Sequence, residues 1–274
     1  MTSIHSDWGE WLPRAVERAD PDGLAVWYLG FNGFVCKSAG GTTVFVDPYL
    51  GTGDPPRTIR MVPIPFDPAD VRSVDAVFAT HEHTDHVHAP SQAPLLAAGA
   101  DWYGPETSRE LVEEWAADWA IDGDQLETVT PGDTLRVGDI NVTVIKGHDP
   151  DAVEAVGYVL ETGSRSFAHV GDSRPGAFET VGETHDIDVG AVAVGSAGVI
   201  PDKDTRRPTE TTWYNDENQA IALAQALKLD RLVPTHWDAW KGLTADPAAL
   251  CDHARSFEYP RRVEVVEIGD RLNV

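Results

Sequence analysis

The densest group of potential metal ligands in this chain lies in residues 80–86, which read Thr-His-Glu-His-Thr-Asp-His. The segment directly follows apolar residues 74–79, which predict a β-strand. Imidazole and carboxylate groups suit Zn²⁺, Mn²⁺ and Fe²⁺. Side chains two positions apart share one side of an extended segment, so His81 and His83 can reach one ion while Asp85 and His86 turn towards a second. A histidine-rich surface loop is the ordinary alternative, but this pattern at a strand end favours a metal centre.

The pattern H-x-H-x-D-H after an apolar strand resembles that of the metallo-β-lactamase superfamily. The resemblance implies three further ligands, each at a strand end, and each position has a candidate. His148 follows the predicted strand 141–145, Asp172 follows strand 167–170, and His236 follows strand 232–234.

Carried over to this chain, the resemblance assigns two divalent metal ions, Zn²⁺ or Mn²⁺ with Fe²⁺ as a further option. One ion is expected on His81, His83 and His148, and the other on Asp85, His86 and His236. Asp172 is expected to bridge them, since one carboxylate can bind two cations and hold them about 4 Å apart. Water between the ions would become a bridging hydroxide, the expected nucleophile, with Asp85 and Asp172 as catalytic candidates. His169, three residues before Asp172, is either a further catalytic candidate, as proton donor to the leaving oxygen, or only a polar residue in a part-buried strand.

A closer resemblance, to the L-ascorbate-6-phosphate lactonase family, extends over residues 8–247. It is carried by Trp-Gly-Glu-Trp-Leu at 8–12, Trp-Tyr-Leu-Gly at 27–30, Lys-Ser-Ala-Gly-Gly-Thr at 37–42 and Gly-Asp-Ser at 171–173. It implies a metal-dependent lactonase acting on a small lactone, such as a phosphorylated sugar lactone, and a homo-oligomer. The loop after Gly53 is shorter than that family leads us to expect, and residues 202–212 look like an addition, so the substrate can differ.

The predicted elements explain how these residues would be brought together. Strands are predicted at 25–29, 33–37, 43–46, 76–79, 141–145, 158–160, 167–170, 189–194, 232–234 and 263–268, and helices at 106–117, 216–227 and 246–256. Strands dominate early and alternate with helices later, which predicts a layered α/β architecture in one domain, 1–274. The resemblance specifies the metallo-β-lactamase fold, an αβ/βα four-layer sandwich of two central mixed β-sheets flanked by helices.

Two polar segments are candidates for the walls of a pocket. Residues 47–68 form a long stretch rich in Pro and Gly without periodicity, which is either functional or a plain surface excursion. Residues 202–212 allow the same two interpretations. Candidate substrate-binding residues in or near these segments and the ligands are Arg57, Arg60, Arg206, Arg207 and Trp237, with solvated surface arginines as the alternative. Asp47 is either a hydrogen-bond acceptor for a ligand histidine or a turn residue before Pro48.

The charge of the chain limits its partners. Asp and Glu number 45 against 21 Lys and Arg, giving a net charge of −24. Nucleic-acid binding needs a basic surface, which is not visible here. Such an acidic surface repels itself unless salt screens it, so we expect a halophilic protein. Two cysteines, no leader-like segment and no long apolar run predict a reduced, cytoplasmic protein without membrane contact.

Three function classes remain to be compared. A lactone or ester hydrolase is favoured by the flanking motifs. A small-molecule phosphodiesterase could use the same two-metal centre, although the charge of −24 disfavours nucleic acid. Iron-based oxygen chemistry is the third, but it normally needs a flavin-binding partner domain.

Overall fold

The computed structural model describes residues 4–163 and 165–274. Its strands form two seven-stranded sheets and one short ribbon. The first sheet has the order β16-β1-β2-β3-β4-β5-β6. Its strands are β1 Leu24–Gly30, β2 Gly33–Ser38, β3 Thr43–Val46, β4 Ala76–Phe78, β5 Asp101–Gly104, β6 Leu126–Thr128 and β16 Arg271–Asn273.

The second sheet has the order β15-β14-β11-β10-β9-β8-β7. Its strands are β7 Thr134–Val137, β8 Ile140–Lys146, β9 Val156–Thr162, β10 Arg165–His169, β11 Val189–Ala193, β14 Arg231–Thr235 and β15 Arg262–Val263. Both sheets are mixed, because each joins antiparallel strands on one side to parallel strands on the other. The ribbon pairs β12 Gly198–Pro201 with β13 Pro208–Thr211.

Helices cover the outer faces of both sheets. They are α1 Trp11–Arg18, α2 Ala89–Ala97, α3 Glu106–Ala116, α4 Glu179–Thr184, α5 Glu217–Leu227 and α6 Pro247–Ala254, with short 3₁₀ turns at Pro68–Asp70, Ala117–Trp119 and Gly123–Gln125. Side chains of α1, α2 and α3 pack on the first sheet, and those of α5 and α6 pack on the second.

The largest apolar cluster lies between the two sheets. Alternate residues of β1, such as Val26 and Tyr28, join residues of the second sheet such as Tyr158 and Phe167. The intervening β1 residue Trp27 instead faces the α1–α3 side, as the two-residue period of a strand requires. Helix, sheet, sheet and helix therefore form four layers, which confirms the predicted metallo-β-lactamase fold.

The sequence misplaced some elements. Residues 263–268 were predicted as a strand, but β15 ends at Val263 and the edge of the first sheet is closed by β16 instead. Residues 202–212, for which no strand was predicted, form the turn of the β12–β13 ribbon and all of β13. The helix predicted at 216–227 is found as α5, and Asp216 caps its first turn in a reciprocal pair of hydrogen bonds with Gln219.

Among the described residues, no helix is long and apolar enough to cross a membrane.

Candidate metal centre

The first group of potential ligands consists of His81, His83 and Asp149. His81 and His83 follow β4, and Asp149 lies beyond the end of β8. Asp149 Oδ2 lies 3.3 Å from Nε2 of His81 and 3.5 Å from Nδ1 of His83. His81 is fully buried, whereas the His83 side chain is 38% exposed. The group is therefore anchored in the core and open on the side of His83.

The second group consists of Asp85, His86, Asp172 and His236. The carboxylate of Asp172 lies between two histidines, with Oδ2 3.3 Å from His86 Nε2 and Oδ1 3.3 Å from His236 Nε2. The two groups adjoin, because the ring centroids of His81 and His86 are only 3.8 Å apart. The structure thus brings six of the seven predicted ligands into one place, with Asp172 at its centre.

The donor set fits divalent metal ions. Several buried polar atoms here have no hydrogen-bond partner among the described residues: Nε2 of His86, both ring nitrogens of His236 and Oδ2 of Asp149. A buried polar atom without a partner is costly, and a bound cation would satisfy these atoms. The groups that would bind the ion are imidazole and carboxylate, which are suitable ligands for Zn²⁺, Mn²⁺ and Fe²⁺.

The pKa shifts of the ligand residues also favour binding of a cation. Burial lowers the pKa of His81 well below its usual value, so the ring is neutral and free to bind metal. Burial, and to a lesser degree the charge of Asp172, raises the pKa of Asp149 to about 6. Burial also acts to raise the pKa of Asp172, but His236 and His86 outweigh it and hold that pKa well below its usual range. The site concentrates carboxylates that a cation would neutralise.

His148 is not part of either group, contrary to the prediction. Its ring packs edge-on against Phe178, with ring centroids 5.0 Å apart, and lies directly over Gly176. Its main-chain amide donates to the Ser173 hydroxyl. The next residue, Asp149, takes the place expected for His148, because neighbouring side chains in this turn project in different directions.

Asp47 lies beneath the second group as a hydrogen-bond acceptor. Its carboxylate lies 2.7 Å from Nδ1 of His86 and accepts hydrogen bonds from the main chain and hydroxyl of Thr80. Asp47 is fully buried and has φ +46, a conformation that L residues rarely adopt. A carboxylate on the far nitrogen of a ligand histidine fixes its tautomer and orientation. This geometry corresponds to the first of the two interpretations of Asp47.

The position of His169 does not fit the predicted catalytic role. The residue is fully buried between the sheets. Its Nε2 donates to the main-chain oxygen of Asn32, and its Nδ1 accepts from the amide of Gly171. Both nitrogens are thus engaged with main chain, and burial lowers the pKa of the ring. It does not line the cavity described next and cannot pass a proton to a substrate there.

A cavity of about 530 Å³ opens above the two groups. His83, Asp85, Asp149 and Asp172 lie at its floor. Its walls come from the segments that follow β3, β4, β8, β13 and β14 and from the turn of the β12–β13 ribbon. The wall residues are Tyr49, Gly53, Asp54, Arg57, Thr58, Thr84, His88, Asp151, Lys203, Trp213, Tyr214 and Trp240. Both polar segments singled out in the sequence therefore contribute to the pocket.

Of the five predicted substrate-binding residues, only Arg57 lines this cavity, where its guanidinium lies 5.8 Å from the Trp213 ring. Arg60 instead donates to four main-chain oxygens and lies over the Phe31 ring, so its role is to hold the loop. Arg206 and Arg207 are exposed in the ribbon turn, outside the lining, and Trp237 also lies outside it. The prediction failed for these four because spacing along a loop does not indicate which side chains turn inward.

Sequence reasoning missed four residues of the site. Asp149 was overlooked beside the more conspicuous His148, and Asn32, between the strands predicted at 25–29 and 33–37, was not singled out. Tyr214 stacks on the His236 ring at a centroid distance of 4.1 Å. Lys203 is the second cation of the cavity wall. The Asp next to a predicted His ligand was the one signal that could have been found.

Comparison with known proteins identifies the family of this chain. A family model described as a beta-lactamase superfamily domain matches residues 42–237. The probable L-ascorbate-6-phosphate lactonase UlaG of Salmonella gallinarum is 30% identical over 91% of this chain and 80% of that protein.

Solved structures share the fold at lower identity. Igni18, a metallo hydrolase from Ignicoccus hospitalis, superposes with a TM-score of 0.67 at 18% identity, covering 91% of this chain and 97% of that one. The metallo-beta-lactamase fold protein YhfI from Bacillus subtilis gives 0.64 at 17% identity, covering 93% and 99%. These structures share the fold of the chain. The family match and the lactonase relative show that the chain is a metal-dependent hydrolase and belongs to the lactonase-like family of the metallo-β-lactamase superfamily.

Proposed function

We propose that this protein is a lactonase that uses two divalent metal ions to open a small anionic lactone. The observation that carries the proposal is the pair of adjoining ligand groups at the floor of one cavity. The 30% identity to a probable L-ascorbate-6-phosphate lactonase supports the reaction class. Divalent ions held by these residues would supply Lewis acidity towards a carbonyl oxygen and would lower the pKa of a bound water towards about 7.

The ligand residues have different roles, according to where they lie relative to the cavity. Asp172 is placed between His86 and His236, as a bridging ligand requires. Asp85 and His83 face the cavity, so ions held by them would be open to substrate. The buried residues His86 and His236 hold the opposite side and exclude water from it.

The cavity wall supports a small, anionic and ring-shaped substrate. Tyr49, Trp213 and Trp240 offer flat apolar faces against which a ring can lie. Arg57 and Lys203 add two positive charges above the floor, in a protein of net charge −24. Metal ions would offset the carboxylates of the floor. The wall also carries Asp54 and Asp151, and Arg57 and Lys203 are its groups that could bind a phosphate or carboxylate of the substrate.

The test is hydrolysis of L-ascorbate 6-phosphate by protein purified in molar salt and loaded with Mn²⁺ or Zn²⁺. We expect turnover in the native protein and none in Asp172→Ala. Arg57→Ala should raise KM about 10-fold or more, as expected for one lost charge-assisted contact, while the matched control Arg206→Ala should leave KM unchanged.

Absence of turnover in protein shown to hold two metal ions would contradict the lactonase proposal. The alternative, a small-molecule phosphodiesterase or another ester hydrolase on the same centre, would then be tested with bis(p-nitrophenyl) phosphate and simple esters. Activity in Asp172→Ala that still holds both metals would contradict the bridging role.

A further inference from the structure

The turn that joins β1 to β2 enters the metal centre. It contains only Phe31 and Asn32, between Gly30 and Gly33. Asn-Gly in such a turn normally marks an asparagine that adopts a positive φ. Here the positive φ belongs to Phe31, at +59, and not to Asn32. Backbone conformation therefore does not explain the asparagine, and its side chain has to be considered.

The side chain of Asn32 is buried and connects this turn of the first sheet to residues of the second sheet. Only 1% of the residue is exposed. Its Nδ2 donates to Oδ1 of Asp172 over 2.8 Å, and its Oδ1 accepts from the hydroxyl of Thr235 over 2.8 Å. A carboxylate can only accept hydrogen bonds, so the amide nitrogen must face Asp172 and the amide oxygen must face Thr235. The orientation of the amide is thereby defined.

The main chain around Asn32 is fixed as firmly as its side chain. The oxygen of Asn32 accepts from Nε2 of His169 over 2.7 Å. The oxygen of Phe31 accepts from the Tyr28 hydroxyl and from the amide of His236. The Phe31 ring packs edge-on against His236, with centroids 5.7 Å apart. A non-glycine residue at positive φ is in an unfavourable conformation, and these contacts hold Phe31 there.

We infer that Asn32 is a positioning residue that orients the Asp172 carboxylate for metal binding. The inference rests on the proposed metal-binding role of Asp172. Oδ1, which receives the Asn32 hydrogen bond, also faces His236, and Oδ2 faces His86. Without the amide, the carboxylate can rotate about its terminal bond, and its two oxygens no longer hold these directions. His169 thereby acts through Asn32, as a support for the turn.

The experiment measures Zn²⁺ binding by competition with a chromophoric chelator, in Asn32→Leu and in Asn215→Leu. Leucine keeps the branched shape of asparagine, with the same number of side-chain heavy atoms, but cannot donate or accept a hydrogen bond. Asn215 is a matched control, since it is equally buried but its amide donates only to the main-chain oxygens of Ser173 and Ala193. We expect Asn32→Leu to raise the Kd for Zn²⁺ by about 10–100-fold, as removal of hydrogen-bond partners of metal ligands does, and Asn215→Leu by less than about threefold.

A Kd in Asn32→Leu within about threefold of the native value, or an equal loss in both variants, would overturn the inference. Thr235→Val provides a second test if Asn32→Leu does not fold, because it removes the donor that fixes the amide while keeping a β-branched side chain in β14. It should raise the Kd by several-fold, and an unchanged Kd would also overturn the inference. Because the readout is metal binding, its failure is distinct from a failure to hydrolyse lactones.

Discussion

Replacing Asp149 tests the arrangement of the metal centre most directly. The sequence pointed to His148 as the third ligand beside His81 and His83, whereas the structure places Asp149 there. Asn is nearly isosteric with Asp, so Asp149→Asn removes the charge and leaves the shape. The matched variant is His148→Phe, which keeps an aromatic ring against Phe178 but removes both ring nitrogens.

The expected loss of metal affinity in Asp149→Asn follows from the number of ligands at the site. Structural Zn²⁺ sites with four ligands bind with about 10–16 kcal/mol, or roughly 2.5–4 kcal/mol for each ligand. Asp149 is one of three protein donors in its group, and its side chain is only 3% exposed, so little water competes for it. We therefore expect Asp149→Asn to raise the Kd of one metal ion by roughly 100–1,000-fold and the matched His148→Phe by less than about threefold.

Two assays test this. Plasma mass spectrometry measures the metal content after dialysis against limiting Zn²⁺, and competition with a chelator measures the Kd. Asp149→Asn should retain about one ion where the native protein retains two.

Thermal melting of the metal-free proteins separates metal loss from unfolding. Because burial raises the pKa of Asp149 to about 6, its charged form destabilises the metal-free fold above that pH. Asp149→Asn should accordingly raise the melting temperature of the metal-free protein at pH 7.5. Loss of metal in His148→Phe with full retention in Asp149→Asn would refute the reasoning.

Three further predictions concern the surroundings of the site and the surface. Asp47→Asn weakens the acceptor on His86 Nδ1 and should raise the Kd for Zn²⁺ about 10–100-fold, with an unchanged Kd contradicting that role. Although burial acts to raise the pKa of Asp139, hydrogen bonds from Ser38 and Thr42 lower it overall. Asp139→Asn should therefore cost about 1–2 kcal/mol in urea unfolding at pH 7, a difference that shrinks below about pH 4, whereas a pH-independent difference would argue against the ionised form. Raising NaCl from about 0.1 to 1 M shortens the Debye length from about 10 to 3 Å and should raise the melting temperature, and a flat response would contradict halophilic adaptation.

The sequence by itself determined the fold and most of the ligand set. Apolar segments such as 25–29 and 76–79 predicted strands, their alternation with helices later in the chain predicted a layered α/β architecture, and the resemblance to the metallo-β-lactamase superfamily specified the two-sheet sandwich. His81, His83, Asp85 and His86 are close in space because they are close in sequence, so their local pattern sufficed to predict that they cluster.

The tertiary structure decided which side chains complete the site. His148 and Asp149 are adjacent in sequence, and the choice between them depends on how the turn after β8 meets Ser173 and Phe178. Such contacts join residues far apart in the chain and leave no periodic signal in either segment.

The same reason explains Asn32 and the cavity wall. Asn32 meets Asp172 across 140 positions of sequence, and its Asn-Gly context predicts only a turn. Arg57 and Lys203 face the cavity while Arg60, Arg206 and Arg207 do not, although all five lie in the two polar segments. Residue type determined what chemistry the chain could perform, and only the packing of one sheet against the other decided which residues are placed to perform it.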